Sequence, residues 1–139
     1  MNNIDIIIEE SKLSLNSMDV PIGAIIVKDG VLISFACNTR EKDQNVLGHA
    51  EINCILKAQK NLKNWNLSGC DMYVSLKPCS MCAEIIKQSR IDNVYYLLDK
   101  PAEKKDFYKT KFKKINKKNE EQEYLDILSN FFKELREKK

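Results

Sequence analysis

The sequence predicts a mixed α/β domain, a central sheet covered by helices. Two observations predict it. Apolar residues recur at helical spacing in four stretches, and between them run short alternating or continuous apolar segments bounded by turn residues. Their order reads α-β-β-α-β-α-β, then a lysine-rich segment and a last helix. With 139 residues, 43% hydrophobic and 31% charged, the chain fits one domain with its own core.

Ile4, Ile7, Ile8 and Leu15 mark an amphipathic first helix. Val20 to Val27 reads as a strand, Lys28-Asp29-Gly30-Val31 as a turn, and Val31 to Cys37 as the returning strand of a hairpin. The polar run from Asn38 to Gly48 predicts loop. Ile52, Ile55, Leu56 and Gln59 place a second helix from about His49. Met72, Val74 and Leu76 alternate with Tyr73, Ser75 and Lys77, which is a strand pattern. Alternation puts Lys77 with Tyr73 and Ser75, on the side away from Val74 and Leu76, and so toward solvent. Pro78 ends that strand where a helix commonly starts, and Ala83, Ile85, Ile86 and Ser89 continue the helix. Val94 to Leu98 is a further strand. Phe112 and Ile115 mark a short edge strand within the lysine-rich stretch, and Tyr124, Leu125, Leu128, Phe131, Phe132 and Leu135 stripe a final helix over about 119–138.

Composition excludes several classes. The longest apolar stretch, Ile22 to Val27, is far short of the ~20 residues of a membrane span. The first residues carry no basic region ahead of their apolar ones, so no secretory signal is read and a cytoplasmic location is expected. Five cysteines, an odd number, argue for free thiols or metal ligands rather than a disulfide framework. Net charge is only +3, but Lys100 to Lys118 holds nine lysines against Glu103 and Asp106. This segment is a candidate phosphate-contacting surface, with Lys111, Lys113 and Lys114 at its centre; solvated surface is the bland alternative.

The chemistry is concentrated in His49-Ala50-Glu51 and Pro78-Cys79-Ser80-Met81-Cys82, each at an expected helix start. Cys79 and Cys82, at i and i+3, share one helix face. In a first turn the helix N-terminus favours their thiolates. Two thiolates and the only imidazole suit a zinc ion with its fourth position open, which draws the pKa of a bound water toward neutrality. Glu51 lies off the ligand position yet within reach of that water, as a proton shuttle. Alone, the Cys-Xaa-Xaa-Cys also fits a redox pair or half of a structural zinc site, and Cys37, Cys54 and Cys70 read as small apolar fillers. The conjunction decides, because His-Xaa-Glu followed by Pro-Cys-Xaa-Xaa-Cys is a signature of zinc nucleobase deaminases.

On these motifs the sequence resembles the bacterial tRNA-specific adenosine deaminases (TadA-like) of the cytidine deaminase superfamily. The resemblance is carried by Val20-Pro21-Ile22-Gly23-Ala24, Asn38, Leu76-Lys77-Pro78-Cys79-Ser80-Met81-Cys82-Ala83, Ser89-Arg90-Ile91 and Ser129-Asn130-Phe131-Phe132. It implies a three-layer α/β/α fold with a central mixed sheet of about five strands, in a single domain over 1–139. It implies one Zn2+ per subunit on His49, Cys79 and Cys82, with Glu51 catalytic. Asn38, Ile22 and Ala50 would bind the flipped nucleoside, and Phe132 would lie near the anticodon loop. The implied protein is a homodimer converting adenosine to inosine at the wobble position of a tRNA. The alternatives are a deaminase of a free base or nucleoside (guanine, cytosine or cytidine) and a non-catalytic zinc-containing RNA-binding subunit, which would leave Glu51 without a task.

Three departures from the family pattern stand out. Asn45-Val46-Leu47-Gly48 replaces Asp-Pro-Thr-Ala at the pocket rim, Lys77 replaces an acidic residue, and the lysine block replaces a Gly- and Ser-containing loop.

Overall fold

A computed structural model describes residues 1–100 and 109–138, so part of the lysine block, with Glu103 and Asp106, lies outside the described residues. The chain divides into two compact units, Met1–Lys104 and Lys105–Lys139. The first holds α1 (Asn3–Leu13), a 3-10 turn (Ser14–Ser17), β1 (Gly23–Lys28), β2 (Val31–Cys37), α2 (Arg40–Asp43), α3 (Ala50–Leu62), β3 (Cys70–Leu76), α4 (Ser80–Gln88) and β4 (Asn93–Leu98). The second holds α5 (Lys118–Glu137).

The sheet runs β2-β1-β3-β4, antiparallel except for the parallel β3–β4 pair joined through α4. Asp29 and Gly30 both take positive φ, 50° and 76°, as a two-residue hairpin turn whose twist matches its strands requires. Expected and observed strands differ at the start of β1, because Pro21 has no N–H to give a ladder.

Alternation sorts the sheet's side chains into two faces. Ala24, Ile26, Ala36, Met72 and Val74 form a buried cluster with Ala50, Cys54, Ile55 and Ala58 of α3 and Ile86 of α4. Ile25 points the other way and is fully buried, as is Ile7 of α1. On that side a Cβ on Gly23 would sit 2.1 Å from the Ile7 carbonyl oxygen, so only glycine lets α1 approach β1 this closely. The three-layer α/β/α arrangement follows. Cys54 and Cys70 are fully buried in the core, in keeping with their reading as apolar fillers.

Among the described residues four strands are present where about five were expected, and the edge strand at Phe112 and Ile115 does not form. Residues 109–117 have no regular structure, with Phe112 95% and Ile115 77% exposed. The reason is periodicity. Positions three apart fall on opposite faces of a strand, so these two residues give it no apolar side to bury. The polar loop after Asn38 also differs, since it contains the short helix α2. Its first amides are capped from far upstream: Asp19 accepts from Glu41 N–H at 2.6 Å and Lys42 N–H at 3.2 Å. No residue of α5 is buried, and Phe131 and Phe132 meet edge to face with ring centroids 5.3 Å apart.

Candidate active site

The site lies where α3 and α4 begin, at the C-terminal ends of β2 and β3. His49 is the N-cap residue of α3, Cys79 that of α4, and Glu51 and Cys82 lie in the first turns. Pro78 between β3 and α4 stops the strand and turns the chain into the helix. His49 Nδ1 lies 3.3 Å from Cys82 Sγ and 3.9 Å from Cys79 Sγ. The three candidate ligand atoms fall within 4.8 Å of one another. The predicted triad is therefore assembled.

Burial dominates the electrostatics of this cluster. Burial, followed by the charges of Arg40 and Lys100, lowers the His49 pKa, which keeps the imidazole in the neutral form that ligates metal. Burial, then Glu51 and Cys79, pushes the Cys82 thiol up. The helix N-terminus alone favours the opposite, but here desolvation outweighs it. Two sulfurs, an imidazole and a buried carboxylate crowd one spot, and a divalent ion is the partner such a donor set accommodates.

Glu51 is only 3% exposed, and its Oε1 is buried with no hydrogen-bond partner in the protein. Its carboxylate borders Cys82, and burial raises its pKa despite lowering by a backbone hydrogen bond, Cys82 and Lys100. An orphaned carboxylate oxygen is costly in a core, which marks it as facing something the chain itself does not supply.

His49, Glu51 and Cys79 line a cavity of about 280 Å³, with Ile22, Asn38, Leu76 and Lys77 among its other walls. That volume has room for one nucleobase. Asn38 Oδ1 accepts from Ala50 N–H at 2.7 Å, and Ser14 Oγ donates to the Asn38 carbonyl at 2.9 Å. Ala50 itself is fully buried and outside the cavity wall, and its N–H is given to Asn38. Phe132 belongs to the second unit and is half-exposed on α5. Lys111, Lys113 and Lys114 lie in the exposed segment before α5, with Lys114 paired to Glu121 at 2.9 Å.

Sequence reasoning missed Asp19, Arg40 and Lys100 at this cavity, and misjudged Lys77. β3 ends at Leu76, so alternation does not extend to Lys77. Its half-exposed side chain lines the cavity, with Nζ 5.8 Å from the Tyr96 ring and 4.0 Å from Asp99.

A family model of MafB19-like deaminases matches residues 3–136. The chain belongs to the MafB19-like deaminase family. Among curated relatives of this deaminase-family chain, the tRNA-specific adenosine deaminase of Bacillus subtilis (strain 168) is 42% identical over 89 residues, 64% of this chain and 55% of that protein. The tRNA-specific adenosine deaminase of Aquifex aeolicus (strain VF5) is 40% identical over 98 residues, 70% of this chain and 65% of the relative. The matches thus span less than two thirds of these relatives. A solved structure from work on A-to-I editing by tRNA:A34 deaminases at the wobble position has a TM-score of 0.69 at 36% identity, covering 71% of this chain and 72% of that one. Guanine deaminase from Bacillus subtilis has a TM-score of 0.75 at 25% identity, covering 93% and 95%.

Proposed function

We propose that this deaminase-family protein hydrolyses adenosine to inosine at the wobble position of a tRNA anticodon, releasing ammonia. The observation that carries the chemistry is the buried, unpartnered Oε1 of Glu51 beside the His49–Cys79–Cys82 cluster at the wall of a base-sized cavity. The choice of adenosine in tRNA is supported by the names of the relatives that match over the site region. His49, Cys79 and Cys82 would hold one zinc ion, which when bound supplies Lewis-acid activation of water.

The chain's own residues do the rest. Glu51 accepts the proton of the attacking water and delivers it to N1 of the adenine as C6 becomes tetrahedral. It then carries the proton of the new C6 hydroxyl to the amino group, which leaves as ammonia as the carbonyl forms. Asn38, its Oδ1 held by Ala50 N–H, has its amide nitrogen available to hold the nucleoside. Ile22 offers an apolar wall. Phe132 on α5, and Lys111, Lys113 and Lys114 ahead of it, are the proposed contacts to the anticodon loop, whose unpaired bases enter such a pocket at small unstacking cost. A homodimer in the cytoplasm completes the reading. Among the described residues no helix is long and apolar enough to cross a membrane.

The overlap with guanine deaminase, extending over 93% of this chain, favours a second reading, deamination of a free base such as guanine. Inosine formation on an anticodon stem-loop with adenosine at the wobble position, run beside free bases and nucleosides, separates the two. Inosine from the stem-loop, absent with Glu51→Ala, is the expected result. Ammonia from a free base with the stem-loop untouched would overturn the tRNA reading in favour of the second.

A further inference from the structure

Three cations, Arg40, Lys77 and Lys100, line the cavity. Arg40 and Lys100 bear on the site's own acid–base groups, and the deamination chemistry leaves Lys77 without a role. A metal at His49 gains nothing from positive neighbours, and the Arg40 and Lys100 charges already bear on that imidazole. A free nucleobase or nucleoside offers them carbonyl, ring-nitrogen and hydroxyl acceptors but no formal negative charge, whereas a phosphate offers both. The carboxylates among the wall residues are otherwise engaged. Asp19 caps α2 and accepts from Ser17, Glu41 lies 3.5 Å from Arg40, and Glu51 is buried at the reacting centre. Lys77 is the best placed of the three cations. It follows the last residue of β3, two positions before a ligand, and its ammonium stands at the rim beside Tyr96. Its carboxylate neighbour, Asp99, is 4.0 Å away with both side chains more than half exposed, a pairing worth little in water and readily exchanged.

We propose that Lys77, supported by Arg40 and Lys100, binds a phosphate adjoining the target nucleoside and so makes a phosphodiester-linked nucleotide the preferred substrate. This rests on the reading above and deepens it, since it assigns a specificity-determining residue to the rim of the same cavity. An ammonium is a point charge suited to a single phosphate oxygen. One such contact in a single-stranded loop contributes about 0.7 to the slope of log affinity against log salt.

The test uses the full-length protein and a wobble-adenosine stem-loop, in native form and with a neutral methylphosphonate on the 5′ or the 3′ side of the target. Wild type, Lys77→Glu, Lys77→Ala and Lys77→Arg are compared by KM, kcat and salt dependence. In Lys77→Glu and Lys77→Ala the KM for the native stem-loop is expected to rise about tenfold, with the loss falling on KM rather than kcat. The salt slope is expected to fall by about 0.7, and Lys77→Arg to recover most of both. One of the two neutral linkages is expected to raise the wild-type KM similarly and to add nothing to the Lys77→Ala defect. This substrate arm holds even if a variant folds poorly. Wild-type deamination of the native stem-loop, with KM indifferent to both neutral linkages or to Lys77→Glu, would overturn the phosphate contact and leave the tRNA reading standing. A stem-loop untouched by wild type would overturn both.

Discussion

Asn38, just past the end of β2, accepts the N–H of Ala50, the first residue of α3, at 2.7 Å through its side-chain oxygen. The bond satisfies one of the amides a helix start leaves without an internal partner. It also fixes the Asn38 amide against the residue between His49 and Glu51, so the proposed nucleoside contact, metal ligand and proton carrier share one corner. Ser14 holds the same residue through its backbone carbonyl.

Asn38→Ala therefore leaves a buried amide without its acceptor. Stability is expected to fall by about 1–3 kcal/mol, read by urea unfolding. Asn38→Asp keeps an acceptor oxygen but removes the amide nitrogen, and is expected to hold most of the stability while losing activity. Equal destabilisation by the two variants would mean that the acceptor is not what matters.

Glu51→Gln is expected to bind zinc at the wild-type level, because Glu51 is outside the ligand cluster, while kcat drops by about 100-fold or more. Its melting temperature is not expected to fall, since a neutral amide relieves a buried carboxylate whose Oε1 lacks a partner. Metal analysis and thermal unfolding read the two together. Loss of zinc from this variant would move Glu51 into the ligand set.

Cys82→Ala is expected to lose zinc and to melt lower than wild type, because metal affinity and folding are coupled. A strong chelator should lower the wild-type melting temperature and leave that of the variant unchanged. Normal zinc content in Cys82→Ala would show that another cysteine serves as ligand.

Asp19→Asn tests the cap on α2 through its pH dependence. Burial alone would raise the Asp19 pKa, but the Ser17 hydroxyl, the Glu41 and Lys42 amides and the Arg40 charge outweigh it, and the pKa lies below the ordinary 3.8. A lowered folded pKa means that folding favours the ionised form. The stabilisation is then complete above about pH 3.8 and is lost as pH falls through the folded value. Asp19→Asn is expected to be less stable than wild type at neutral pH, with the difference narrowing in acid. A difference that stayed constant with pH would assign the effect to hydrogen-bond geometry instead of charge.

The sequence by itself determined what depends on neighbours along the chain. Helical and alternating periodicity gave α1, α3, α4, α5 and the four strands close to their observed bounds, and Asp29-Gly30 announced its turn. The His-Xaa-Glu and Pro-Cys-Xaa-Xaa-Cys blocks picked out the residues that the fold brings together, His49, Cys79, Cys82 and Glu51, because each block lies within one helical turn and carries its spacing in the sequence. Tertiary structure decided the rest. No local pattern says that Asp19 caps a helix more than twenty residues away, that Gly23 admits α1 at backbone distance, or that Ala50 surrenders its N–H to Asn38. Lys77 shows the physical reason most directly. Periodicity assigns a side chain to a face only while the strand continues, and beyond Leu76 the fold brings Lys77 to the cavity wall with its ammonium near Tyr96 and Asp99.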